Sequence, residues 1–283
     1  MEQETVALNE QWVIVNGLPL FYRAAPDAAP AGAVPIVHVH GFGISGSYLV
    51  PTAERLAPYH PTYVPDLPGY GRSRKPAHTL TIPELAKTLA SFLDTVGVER
   101  AIVLGNSMGC MIALEFAHEY PDRTERAILV SPAGGPHNQP LYRALSQMMR
   151  DSVRESVRLL PVAVPDYVRF GPMNSFRLFR AMTMYPTVER AQELSLPILA
   201  VVGTRDPLVS RERLERYVAD HPHITLVMQD KAAHAINFSH PRSLSKLVLD
   251  WLQDQTVDDV PADAGHTIVA QAETPDAPGI TQN

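Results

Sequence analysis

Ala101-Ile102-Val103-Leu104-Gly105-Asn106-Ser107-Met108-Gly109-Cys110-Met111 decides the reading of this 283-residue chain. An apolar run enters Gly-Asn-Ser-Met-Gly, and apolar residues at helical spacing come after it. The pattern predicts a buried strand, a sharp turn with Ser107 at its apex, and a helix over residues 107–119. Glycines two residues before and after Ser107 let such a turn fit against neighbouring elements. A helix behind the serine offers unpaired N–H groups and a partial positive charge to a developing oxyanion. A serine at a strand–helix junction is also a common N-cap. The triplet alone leaves Ser107 open between nucleophile and cap.

A serine hydroxyl is a weak nucleophile at neutral pH and needs an imidazole to take its proton, with a carboxylate to orient the ring. For a nucleophile on this kind of turn, acid and histidine follow on later strand-end loops, in that order. The apolar run 198–202 leads into Gly203-Thr204-Arg205-Asp206-Pro207, and the run 224–228 into a loop ending at His234. Asp206 and His234 are therefore the candidate acid and base. Their alternatives are a turn residue, since Asp-Pro starts turns, and an exposed loop histidine. Asp230 is a rival acid, but it shares one short loop with His234. An oxyanion hole needs two backbone donors; the Met108 amide is one, and His40-Gly41-Phe42-Gly43, after the run 34–39, offers Phe42 or alternatively Gly43 as the other.

Apolar runs at 34–39, 101–104, 127–130, 198–202 and 224–228 are continuous, as in strands covered on both faces of a parallel sheet. Helical patterns at 82–96, 107–119, 211–219 and 241–252 separate many of them, which predicts an α/β fold with a mostly parallel twisted sheet flanked by helices. Asn16-Gly17 between two apolar runs predicts a β-hairpin. Residues 135–193 break the rhythm. Leu141, Leu145, Met148, Met149, Val153, Val157 and Leu160 fall on one helical stripe, and Pro161, Pro165, Pro172 and Pro186 divide the remainder into short pieces. The domains expected are a core of 1–134 and 194–254, a helical cap or lid at 135–193, and a disordered acidic tail at 255–283.

Composition narrows the function classes. The chain carries 24 Lys+Arg and 30 Asp+Glu, and its tail from residue 255 holds five acids and no Lys or Arg, which leaves the body nearly neutral. The absence of a basic stripe argues against nucleic-acid binding. One cysteine, Cys110, excludes an internal disulfide and multi-cysteine zinc modules; it reads as a packing residue. His38 and His40 belong to a strand and to the HG motif rather than to a metal site, so no metal and no cofactor is expected. No run reaches the roughly 18 apolar residues of a membrane span. The acidic N-terminus carries no secretion signal, which points to the cytoplasm. The expected partner is a small-molecule substrate, for a monomer or homodimer.

Five motifs then carry a family resemblance: HGFG (40–43), DLPGYGRS (66–73), GNSMG (105–109), GTRDPLV (203–209) and AAHAINF (232–238). Across residues 10–254 the chain resembles enzymes of the α/β-hydrolase fold, with 135–193 as the cap. The resemblance implies a serine hydrolase that cleaves an ester or similarly activated acyl bond through an acyl-enzyme. Ser107 sets it apart from the dehalogenases and epoxide hydrolases of this fold, which use Asp. GNSMG followed by EFAHEYPDR and SPAGG is similar to the carbon–carbon hydrolases of meta-cleavage products, which share Asn106; they carry Trp where Ala235 stands. For that family a cap arginine holds the substrate carboxylate, and Arg177 and Arg180 lie in the corresponding region. Carboxylesterases, cofactor-free haloperoxidases and lactonases share the same triad, and a non-catalytic small-molecule receptor is the alternative from another class. Candidate substrate contacts are Asn106, Met148, Met149, Phe176, Phe179, Met182, Arg177 and Arg180, because thioethers and aromatics line adaptable apolar pockets.

Overall fold

The computed structural model describes residues 4–219, 221–254 and 266–270. The chain opens with β1 (Asn9–Val15) and β2 (Leu18–Ala25), an antiparallel hairpin. Asn16 and Gly17 at its turn have φ of 50° and 79°, the left-handed pair that a two-residue hairpin loop requires. β3 (Ile36–Val39), α1 (Val50–Leu56), β4 (Thr62–Pro65) and α2 (Ile82–Thr95) follow. Thr81 and Glu84 close a reciprocal capping box at the start of α2. Next come β5 (Ala101–Asn106), α3 (Met108–Glu119) and β6 (Thr124–Val130). Four helices, α4 (Leu141–Arg154), α5 (Leu160–Phe170), α6 (Pro172–Met184) and α7 (Thr187–Gln192), are inserted before β7 (Ile198–Gly203). α8 (Arg211–Val218), β8 (Ile224–Gln229), α9 (Ile236–Ser239), α10 (Pro241–Leu252) and β9 (His266–Ala270) complete the order.

The strands form one sheet in the order β1-β2-β4-β3-β5-β6-β7-β8-β9, parallel from β4 to β8 and antiparallel at both ends. Alternate residues serve opposite cores: Val103, Ala127, Leu129 and Ala200 join α2 and α3, whereas Ile102, Ile128, Leu199 and Val201 join α10. Period-two alternation with both faces covered explains why these strands read as unbroken apolar runs. Phe92 and Phe116 are fully buried on the first side, each contributing about 2–3 kcal/mol of burial. No described helix is long and apolar enough to cross a membrane.

Two expectations change. α4 ends at Arg154, and its apolar stripe faces outward: Met149 is 70% and Val153 87% exposed, with Leu145, Val157 and Leu160 exposed beside them. The buried face is Ala144, Gln147 and Asp151 instead. Gln147 is held by Asn138, whose Nδ2 donates to its Oε1 at 2.9 Å, and Asp151 by the backbone of His234. A polar group that finds a hydrogen-bond partner can be buried, so periodicity identified the helix but not its inner face. The tail also differs from the structureless segment expected. Residues 266–270 pair antiparallel with β8, completing a sheet edge; 255–265 and 271–283 lie outside the described residues.

Candidate active site

Ser107 sits between the end of β5 and the start of α3 with φ 57° and ψ −116°, a left-handed conformation rare for a residue bearing Cβ. The turn is possible because its flanks are glycine. A Cβ on Gly105 would collide with the Gly109 carbonyl, and one on Gly109 with the Val39 carbonyl. The Ser107 hydroxyl makes no cap hydrogen bond to α3, which disposes of the N-cap alternative. Its N–H donates to the Val130 carbonyl at 3.0 Å, tying the turn to the next strand. The Cys110 thiol, fully buried, donates to the Gly105 and Val130 carbonyls from one turn further on, and burial raises its pKa.

Asp206 leaves β7 and His234 follows β8, as adjacent parallel strands dictate. A Cβ on Gly203 would strike the Ala232 carbonyl, so glycine there lets the two loops close on each other. His234 Nδ1 lies 2.7 Å from Asp206 Oδ2, and Asp206 Oδ1 accepts the Leu208 N–H at 2.8 Å. The rival Asp230 faces Thr204 and Lys231 instead. In the neutral ring, a proton on Nδ1 facing Asp206 leaves Nε2 as the lone pair. That Nε2 is buried and makes no hydrogen bond, Ser107 Oγ included. Burial works to lower the His234 pKa, but the charge and hydrogen bond of Asp206, together with Asp151 and Glu155, overrule it and raise the pKa to about 9.

Ser107 and His234 line the same cavity, of about 510 Å³. Its floor includes Gly41, Phe42, Tyr48 and Asn106, and its walls come from the inserted helices. The Phe42 and Met108 amides make no hydrogen bond to any described residue outside the helices. The Phe42 ring contacts Phe170 and Phe179, with centroids 5.5 Å away in each case, and so bridges the HG motif to the insertion. Gly43 has φ 72°, and a Cβ there would run into the Tyr167 ring. DLPGYGRS serves as scaffold: buried Asp66 accepts hydrogen bonds from the Gly46 and Arg72 N–H groups and from Arg23. His40 likewise is engaged by backbone, accepting the Leu67 N–H at Nε2 and donating from Nδ1 to the Gly41 carbonyl.

Of the candidate substrate contacts, Asn106, Met148, Phe179 and Met182 line the cavity. Asn106 is fully engaged by the protein, accepting from Tyr48 Oη at 2.6 Å and donating to the Val130 and His234 carbonyls, so it supports the turn rather than reaching for a ligand. Met149 and Phe176 are exposed and outside the cavity, because their helices turn opposite faces inward. Arg180 is exposed and does not line it; the side chain of Arg177 lies outside the described residues.

Among the cavity residues that sequence reasoning missed, three tie the HG motif or the histidine loop in place. Tyr48 takes the Gly41 N–H at 2.9 Å and bridges to Asn106. Asp151 and Glu155, one turn apart on and just after α4, reach the histidine loop: Asp151 Oδ1 accepts the His234 N–H at 3.2 Å and Glu155 Oε1 the Ala235 N–H at 2.6 Å. Burial raises the Asp151 pKa to about 7, the nearby His234 pulling it the other way, and burial raises that of Glu155 too. The polar phase Gln147–Asp151–Glu155 was the available signal.

A serine on a strained turn behind a parallel strand, with a carboxylate–imidazole pair on the next loops, defines the class of protein. The Alpha/beta hydrolase family model matches residues 36–247, and the chain belongs to that family. Similar curated proteins include the pimeloyl-[acyl-carrier protein] methyl ester esterase of Yersinia enterocolitica, 28% identical over 251 residues covering 78% of this chain and 94% of that protein. The poly(3-hydroxyalkanoate) depolymerase of Ectopseudomonas oleovorans is 24% identical, covering 82% and 89%. Among solved structures, carboxylesterase CesB (YbfK) from Bacillus subtilis superposes with a TM-score of 0.69 at 20% identity, covering 87% of this chain and 92% of that one. The chain is thus a hydrolase of carboxylesterase-like type, consistent with esterase-named relatives.

Proposed function

We propose that this protein hydrolyses a carboxylic ester of a largely apolar, uncharged small molecule by way of a serine acyl-enzyme. One observation carries the reading: His234, oriented by Asp206, holds a buried and unengaged Nε2 in the cavity that Ser107 lines. Ser107 Oγ attacks the ester carbonyl carbon while His234 Nε2 takes its proton. The carbonyl π electrons move to oxygen, and the Met108 and Phe42 N–H groups receive the oxyanion. Collapse breaks the C–O bond, and His234 returns the proton to the departing alcohol. Water, deprotonated by the same imidazole, then cleaves the acyl-enzyme. Asp206 keeps the ring in the productive tautomer and offsets the imidazolium charge.

The cavity also bears on substrate class. Asp151 and Glu155 contribute to its wall, and among the described residues no Lys or Arg does. An anionic diketone acid would meet those two carboxylates, so the geometry favours the ester reading. The methyl ester esterase and poly(3-hydroxyalkanoate) depolymerase activities that name two relatives are in keeping with it. The inserted helices act as a cap in this reading, and the working place is the cytoplasm. A panel of nitrophenyl esters of rising acyl length, run beside a dienone acid, tests the proposal together with fluorophosphonate labelling. Turnover of esters with labelling at Ser107 is expected; dienone cleavage without ester turnover would overturn it.

A further inference from the structure

The face that α4 turns away from the core is apolar, which is unusual for a helix on the surface of a protein. Tyr142, Leu145, Met149 and Val153 recur at offsets of 3, 7 and 11 along it, and all are exposed. Val157 and, on α5, Leu160, Val164 and Val168 continue the exposed stripe. Val153, Val157, Leu160 and Val164 also line the cavity, so its mouth opens within the stripe.

The flank of the stripe is basic. Arg143, Arg150 and Arg154 recur at offsets of 7 and 11 on α4, Arg158 follows, and all four are exposed. Residues 135–193 hold eight arginines, no lysine and five carboxylates, in a chain whose net charge is −6. Those five carboxylates are committed elsewhere: Asp151 and Glu155 to the histidine loop, Asp166 to the Ser45 N–H, Glu189 to Arg213 and Glu193 to Arg190. Apolar side chains beside a row of arginines are what an interfacial helix presents to anionic headgroups, with its apolar face seated at the acyl boundary.

We propose that the exposed face of α4 and α5 docks on an anionic lipid surface, with the cavity mouth against the acyl phase. A second copy fits the stripe poorly, because a two-fold contact across it would bring two arginine rows together and shut the mouth. A folded acidic protein seated there would likewise plug the mouth, whereas acyl chains can enter it. Substrate would then reach the cavity from the lipid phase, a consequence that rests on the hydrolase reading; the docking itself does not.

Sedimentation of the full chain with vesicles tests this, using phosphatidylcholine alone and phosphatidylcholine mixed with phosphatidylglycerol. Binding to the mixed vesicles is expected to be at least about tenfold stronger at low ionic strength and to weaken as salt screens it. Arg143→Gln with Arg150→Gln should abolish the preference for the anionic vesicles. Leu145→Ser with Met149→Ser, both outside the cavity, should lose binding to either vesicle while the melting temperature and turnover of a water-soluble ester stay as in the wild type. Failure of the wild type to sediment with mixed vesicles would overturn the proposal, as would equal binding by both variants. So would a wild-type dimer that the Leu145→Ser/Met149→Ser variant renders monomeric, or vesicle binding that begins only once residues 271–283 are removed. Vesicle binding without ester turnover would leave docking standing and sink the hydrolase reading alone.

Discussion

Asp151 on α4 accepts a hydrogen bond from the backbone N–H of His234, 3.2 Å away, so an inserted helix holds the residue assigned as the base. Glu155 grips the following N–H in the same way. Both carboxylates sit beside an imidazole whose pKa is raised to about 9. In the proposed reaction the insertion would thus act in two ways, by placing the ring and by setting the pH at which it is free to accept a proton.

Because only the neutral ring acts as base, kcat/KM should climb with pH through the His234 pKa. Asp151→Asn keeps an oxygen that can accept the His234 N–H but removes the charge, so the ascending limb should move to lower pH by roughly one, the effect of a single carboxylate within about 4–6 Å. A pH–rate profile on a neutral ester measures it. An unchanged limb would mean that Asp151 acts on position alone.

Ser107→Ala should leave the melting curve close to the wild type and reduce ester turnover by on the order of 10⁴ or more. Fluorophosphonate labelling should vanish with it. Retention of a tenth of the rate would remove Ser107 from the mechanism.

Stability should respond to pH through the same pair. A histidine whose folded pKa is raised above 6.5 to about 9 contributes stability that is complete below pH 6.5 and lost as pH rises through 9. Asp206→Asn should flatten the decline between these values in urea titrations, and it should cost about 10⁴ in turnover by releasing the ring from its tautomer. A decline as steep as the wild type's would separate Asp206 from the His234 pKa.

Gly109→Ala would press a methyl group into the Val39 carbonyl, with the His40 carbonyl 3.1 Å away. Backbone on both sides has little room to yield, so a loss of about 2–4 kcal/mol in unfolding free energy is expected. Chemical denaturation reads it directly, and a change under about 1 kcal/mol would show that the elbow yields by about the width of a methyl group.

Neighbouring methionines should behave oppositely. Met148 lines the cavity and Met149 does not. Met148→Ala should alter KM across a series of acyl lengths by several-fold, as loss of a few buried methylene equivalents does, and Met149→Ala should leave that series unchanged. Equal effects would return Met149 to the pocket.

Short-range chemistry made much of the site readable. Gly105 and Gly109 announce a turn that only glycine flanks permit, and the motifs carrying Asp206 and His234 follow buried strands whose ends must lie side by side in a parallel sheet. The inner face of α4 was not readable in this way. Its apolar stripe obeys helical periodicity as well outward as inward, and Gln147 and Asp151 are buried because Asn138, in the loop before α4, and the His234 backbone, far along the chain, meet their polar atoms. The same dependence hid Tyr48, which matters through Gly41 and Asn106.

The amino-acid order thus determined the α/β architecture, the serine turn and the loops bearing the acid and the imidazole, since glycine sterics and alternating burial act between near neighbours. Contacts between remote segments decided the rest: which carboxylates surround His234, which methionine meets the cavity, and that residues 266–270 extend the sheet. Burial of a polar group is tolerated only where a partner waits, and where that partner stands is a property of the folded chain.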